Sequence, residues 1–160
     1  VGETERGQEV ITMGVDPASY VTGLAVINDG FLVHAEAWRR DRKAELEENL
    51  FSLSSLVNNV CHEHDVEQVC IERVSVSYSM KTVRLIAYFE AAAAIGASLC
   101  GIPCTWMTPS EARKLATGFG GNKEQALEWA KLTLKGQSVD MVEDELEAFV
   151  MARALEARLT

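Results

Sequence analysis

The chain predicts an α/β fold: a mixed five-stranded sheet, in which an antiparallel three-strand meander is continued by parallel strands, with helices on both faces. Three observations predict it. Apolar runs of strand length crowd the first 40 residues, with a tight-turn signal between the second and third. Beyond them, segments of helical period alternate with two short apolar strands. Two of the strand-like runs end on an acid, Asp16 and Glu72, and an acid-rich helix closes the chain.

Residues 9–16 read as the first strand, an apolar run through Val10, Ile11 and Val15 that is broken by Asp16-Pro17. Asp before Pro is an ordinary turn opener, so this acid taken alone needs no function. Residues 21–27 form the second strand. Asn28-Asp29-Gly30 is a hairpin signal, because these residues tolerate positive φ. Residues 31–38 alternate as the third strand. Residues 41–65 carry Leu46, Leu50, Leu53, Leu56, Val57 and Val60 on one helical stripe. Val66–Ile71 is a short apolar strand ending on Glu72. Residues 79–99 predict a long, Ala-rich helix, and 103–107 a fifth strand. A short helix begins at Pro109, a glycine loop spans 118–122, a helix spans 123–134, and the closing helix runs from 139 or 140 to 159.

Composition bounds the rest. A 160-residue chain with 48% hydrophobic and 24% charged residues is expected to form one domain, over 9–160, behind a loose polar tail, 1–8. Charged residues interrupt each apolar run before the ~18 residues of a membrane span, and the first residues lack a signal-peptide block. The four cysteines, Cys61, Cys70, Cys100 and Cys104, show no zinc-ligand spacing with His62 or His64. They read as buried free thiols of a reducing cytoplasm, and the two histidines as surface residues. The net charge of −9 opposes a nucleic-acid partner at first sight.

If the two acid-tipped strands are parallel neighbours, Asp16 and Glu72 emerge at the same sheet edge, where α/β folds place their sites. In the closing helix Asp144 and Glu147 are three apart and share a face, and Asp140 and Glu143 lie near the same turn. Acids also enrich first helical turns simply because they favour the dipole. Four oxygen donors without Cys or His suit Mg²⁺ or Mn²⁺ rather than zinc.

These motifs, in order, resemble the RuvC family of Holliday-junction resolvases, in the ribonuclease H-like superfamily. "MGVDPASYVTGLAVI" is similar to the family's first hairpin and "VCIERV" to its second acid strand. "LIAYFEAAAAIGASLCGIPC" resembles its long helix and next strand. "PSEARKLATGFG" and "NKEQALEWAKLTL" resemble its basic helix, glycine loop and following helix, and "DELEAFVMARAL" its closing helix. The resemblance implies a ribonuclease H-like nuclease, with Asp16, Glu72, Asp144 and Glu147 as catalytic ligands of two Mg²⁺ ions, Mn²⁺ able to substitute. It implies resolution of four-way DNA junctions by paired symmetric nicks, and a homodimer through helix 79–99. The short loop before Lys123 is closer to bacteriophage members, so the setting expected is the cytoplasm of a bacterial cell or phage-infected host. Glu147 stands where the family often has Asp. Ser75 stands where an aromatic commonly interrupts base stacking, and Tyr78 is the available substitute.

Removing four ligand acids from the count leaves 20 acidic against 15 basic residues. The bases are grouped. Arg73, Lys81, Arg84, Arg113, Lys114 and Lys123, with Tyr78, flank the acids in sequence and are the expected DNA contacts; by resemblance Arg113 and Lys123 hold phosphates. Arg39, Arg40, Arg42 and Lys43 read as a solvated face. Two other functions share these features: a related nuclease acting on structured RNA, and a catalytically silent junction-binding scaffold.

Overall fold

The computed structural model describes residues 9–75, 77–137 and 139–160; the expected tail 1–8 lies outside them. The strands are β1 (Ile11–Asp16), β2 (Val21–Asn28), β3 (Phe31–Arg39), β4 (Gln68–Glu72) and β5 (Cys104–Met107). The helices are α1 (Leu46–Glu63), α2 (Met80–Leu99), α3 (Pro109–Thr117), α4 (Lys123–Leu134) and α5 (Glu143–Leu159). The sheet order is β3-β2-β1-β4-β5. β1, β2 and β3 pair antiparallel in sequence, while β4 pairs parallel with both β1 and β5. The meander and its parallel continuation thus match the sequence expectation.

Strand alternation divides the core in two. Met13, Val15, Leu24, Val26, Val69 and Ile71 face α1 and α2 and pack on Leu53, Val57 and Phe89. The opposite parity, Ala25, Ile27 and Cys70, faces α5, with α3 and α4 packed beside it. The β2–β3 hairpin turns on Asp29 and Gly30, both at positive φ (48° and 78°). Arg153 and Glu156 of α5 hold that turn, donating to the Gly30 carbonyl at 3.1 Å and accepting from its N–H at 2.7 Å.

Several boundaries differ from expectation. Helix α1 starts at Leu46, not 41, because the side chain of Asn49, 2% exposed, bonds the backbone of residues 41–45 into a turn. A polar residue thus sits on the stripe expected to be apolar. Helix α5 starts at Glu143, so Asp140 is outside it. The acidic first turn Glu143, Asp144 and Glu145 marks that start, and Glu145 accepts a bond from the Val142 N–H at 2.8 Å. His64 is not a free surface residue: its ring stacks on His34 with centroids 4.6 Å apart.

Helix α2 also departs from the charge-interruption argument, since by length and composition it is apolar enough to cross a membrane. Ile86, Phe89, Ala93 and Ala97 nevertheless bury one side of it in the α1 core. Gly96 lets the α1 backbone approach so closely that a Cβ there would strike the Ser54 carbonyl oxygen. Its other side exposes Tyr88, Ile95 and Leu99. Cys61 and Cys70 are buried free thiols, as expected, and burial pushes both up to about 12. Cys100 and Cys104 are only partly buried.

Candidate active site

The site begins with parity. Thr12, Gly14 and Asp16 are alternate residues of β1 and so share a face, the one covered by α5; Thr12 donates to the Ala152 carbonyl there at 3.3 Å. Cys70 and Glu72 share the same face of β4. Because β1 and β4 pair parallel, with Val15 opposite Ile71, the next residue of each strand is an acid, and both acids leave the sheet at one edge.

Two glycines then let α5 reach those acids. A Cβ on Gly14 would collide with the carbonyl oxygen of Ala148, and one on Gly23 with the carbonyl oxygen of Asp144. The helix backbone therefore lies directly on β1 and β2. Its first turns arrive at the tip of β1, because Gly23 is the register partner of Asp16. This explains why glycines interrupt "MGVD" and "TGLAV", strands that are otherwise β-branched or aliphatic.

The result is a trio. One carboxylate oxygen each of Asp16, Glu72 and Glu147 lies within 4.8 Å of the other two. Asp144 stands outside the trio but lines the same cavity of about 700 Å³, together with Arg73, Tyr78, Arg113, Lys123 and Glu143. Of the four acids expected as ligands, three are gathered and the fourth borders them. A larger cavity of about 870 Å³ lies at the other end of β1, beside Glu9 and Asp29, where Arg153 and Glu156 are already committed to the hairpin.

Electrostatics mark the trio as unfinished. Asp16 is 5% exposed, and burial, then the charges of Glu72 and Glu147, push its carboxyl well above the ordinary range. Burial and then Glu147 raise Glu72 to about 7, against the pull of Arg113. Asp144 is raised too, first by burial and then by Glu143 and Glu147. Like charges gathered in a low-dielectric site are costly without a compensating cation. An all-oxygen donor set fits a hard divalent cation and does not fit zinc. The three carboxylates compose a candidate divalent-metal site.

Two basic residues already serve this cluster. Arg113 of α3 reaches Glu147 at 3.0 Å, both side chains being largely buried, and its other nitrogen approaches the Gly121 carbonyl at 3.5 Å. Lys123, the first residue of α4, pairs with Glu143 at 2.6 Å and lies 3.5 Å from Glu147. The Glu143 bond raises Lys123 and lowers Glu143.

The chain's relatives agree with this architecture. The family model "Crossover junction endodeoxyribonuclease RuvC" matches residues 12–152. The chain belongs to the RuvC family. The RuvC of Mycobacterium avium (strain 104) is 31% identical over 146 residues, 88% of this chain and 78% of that protein. The RuvC of Corynebacterium diphtheriae is 32% identical over 113 residues, 68% of this chain and 69% of its own. Thermus thermophilus RuvC has the same fold, with a TM-score of 0.82 at 18% identity over 94% of this chain and 95% of that one. The same protein in complex with Holliday junction substrate matches with a TM-score of 0.82 at 16% identity, over 94% of each chain. The relatives named are cellular, so the phage setting takes no support from them.

The remaining residues expected to contact DNA are spread out. Arg73 and Tyr78 border the cavity, whereas Lys81 and Arg84 are exposed on α2 and Lys114 on α3, away from its lining. Two roles were not foreseen from the sequence. Glu143 is the partner of Lys123. Glu90, buried on α2, accepts the Val74 N–H and so fastens the segment that follows Glu72. A lone acid inside "LIAYFEAAAAIG" was the available signal for Glu90, since buried acids occur where something must be held.

Proposed function

We propose that this RuvC-family protein is a structure-selective DNA endonuclease that resolves four-way junctions by paired symmetric nicks, leaving 5′-phosphate and 3′-hydroxyl ends. One observation carries the reading: Asp16, Glu72 and Glu147 converge within 4.8 Å at a sheet edge that opens into a cavity bordered by Arg73, Tyr78, Arg113 and Lys123. Asp16, Glu72, Asp144 and Glu147 are proposed to hold two Mg²⁺ ions, with Mn²⁺ able to substitute. When bound, such ions supply a water of lowered pKa and offset charge on the leaving oxygen.

The chain's own groups do the rest. Arg113 holds the long Glu147 side chain against the other two acids. Lys123 neutralises Glu143, which keeps the rim from repelling phosphate. Arg73, Lys81, Arg84 and Lys114, with Arg113 and Lys123 beside the acids, are offered to the backbone, contacts that position a substrate rather than read its sequence. Tyr78, 56% exposed at the rim, is proposed as the wedge that interrupts base stacking.

Residues 9–160 act as one nuclease domain in this proposal, in the cytoplasm. The apolar stripe of α2, Tyr88, Ile95 and Leu99, is proposed as the homodimer face. An isologous pair suits a junction with two equivalent strands. The deciding experiment compares Mg²⁺- or Mn²⁺-dependent nicking of a synthetic four-way junction with that of flap, linear duplex and structured RNA. Junction-selective, paired nicks that disappear in Asp16→Asn are expected. Preferential cleavage of RNA, or nicking by Asp16→Asn at the parent rate, would overturn the assignment.

A further inference from the structure

The group Arg39, Arg40, Arg42 and Lys43 reads in sequence as a solvated face, but the topology carries it to the sheet edge that bears Asp16. β3 is antiparallel to β2 and β2 to β1, so β3 runs parallel to β1 and ends at the edge that carries Asp16. Asp16 pairs with Gly23 and Gly23 with Ala37, while Val21 pairs with Arg39. Arg39 therefore stands two strands across from Asp16 and two residues further out, about 12 Å away by strand spacing and rise. It lies on the flank opposite β4 and Glu72.

The turn beyond Arg39 is built to be rigid. Buried Asn49 accepts the Asp41 N–H at 2.8 Å and donates to the carbonyls of Asp41 at 2.9 Å and Glu45 at 3.1 Å. The Asp41 carboxylate turns onto the Lys43 N–H at 2.8 Å. Arg40 donates its backbone N–H to Tyr20 at 2.9 Å, and the Arg42 guanidinium sits 3.9 Å from the centre of the Tyr20 ring. Yet among the described residues none of these four cations has an ion-pair partner within 4.0 Å, in a chain with 24 acids. A preorganised, unneutralised cationic turn suits a polyanion, because little conformational freedom is lost when it binds.

We propose that the 39–43 turn, braced by Tyr20 and Asn49, is a second phosphate-binding surface that takes the backbone of a DNA arm on the side of Asp16 away from Glu72. The inference rests on the junction-nuclease reading above. Its test is junction binding by the full chain in EDTA, which prevents nicking, measured by fluorescence anisotropy across a salt series. Each phosphate contact contributes about −0.9 to the slope of log K against log salt. R39Q/R42Q/K43Q should bind at least about tenfold more weakly near 100 mM salt, with a slope shallower by about two to three. R39K/R42K should keep the parent slope, which a purely structural role for the arginines would not ensure. If the triple variant fails to fold, R42Q alone should make the slope shallower by about one. A folded variant with the parent's affinity and slope overturns this surface but leaves the nuclease reading intact. A parent protein that neither binds nor nicks junctions overturns both.

Discussion

Arg113 on α3 meets Glu147 on α5 at 3.0 Å, with side chains only 18% and 12% exposed, beside the carboxylates of Asp16 and Glu72. The guanidinium fixes the long side chain of one candidate ligand. It also draws Glu72 downward while burial and Glu147 push it up. Removing one partner of a largely buried pair strands the other, which costs more than the pair contributes. Arg113→Gln should lower stability in EDTA by about 2 kcal/mol, and Arg113→Gln/Glu147→Gln should recover part of it. Urea unfolding of the four proteins of the cycle measures the coupling; strict additivity would mean the pair does not hold Glu147.

Asp16→Asn removes the most buried charge of the trio and keeps its shape. The metal-free variant should be more stable than the parent by about 1–3 kcal/mol, because like charges are no longer confined together. The melting temperature of the parent should rise with added Mn²⁺ and that of the variant should not. A variant melting below the parent in EDTA would place the charge of Asp16 elsewhere than in a repulsive cluster.

The pH dependence follows from Glu72, whose folded value is about 7 against an ordinary 4.5. Between these values the folded state binds more protons than the unfolded chain. Metal-free stability is therefore fully present below about 4.5 for this group and is lost as pH rises to about 7. The loss is on the order of 3 kcal/mol. Asp16 is raised as well and adds to the loss in the same direction. Urea midpoints at pH 5 and pH 8 in EDTA test the sign, and Glu72→Gln should flatten the difference.

Gly23→Ala would drive a methyl into the Asp144 carbonyl at the start of α5. It should cost about 3 kcal/mol and weaken Mn²⁺ binding, since the helix must lift off the strand that carries Asp16. Gly120→Ala, whose Cβ meets nothing within 4 Å, should change stability by less than about 0.5 kcal/mol. Calorimetric Mn²⁺ titration of both variants separates a displaced site from a destabilised fold.

The α2 face is tested by charge. Ile95 is 56% exposed and Leu99 70% exposed on the stripe proposed for dimer contact. Ile95→Glu should leave melting nearly unchanged in the monomer but shift sedimentation from dimer to monomer and abolish paired nicking. A parent chain that sediments as a monomer at micromolar concentration, yet resolves junctions fully, would remove the dimer from the proposal.

The sequence by itself determined the elements and their parity. Period-two apolar runs, Asp29-Gly30 and the Pro109 start are local signals, and local physics decides them: φ preference, side-chain alternation and helix entry. It also marked Asp16, Glu72 and the Asp144–Glu147 pair, because acids at strand tips and at i, i+3 are visible without coordinates. Only the tertiary structure decided which acids meet. Gly14 and Gly23 bring α5 onto the sheet, so Glu147 joins the trio while Asp144 stays at its border. It alone made Arg113 a partner of Glu147, and it alone carried residues 39–43 to the edge that bears Asp16. Strand order and helix contact are non-local: residues 23 and 144, or 113 and 147, are neighbours only after the chain has closed on itself.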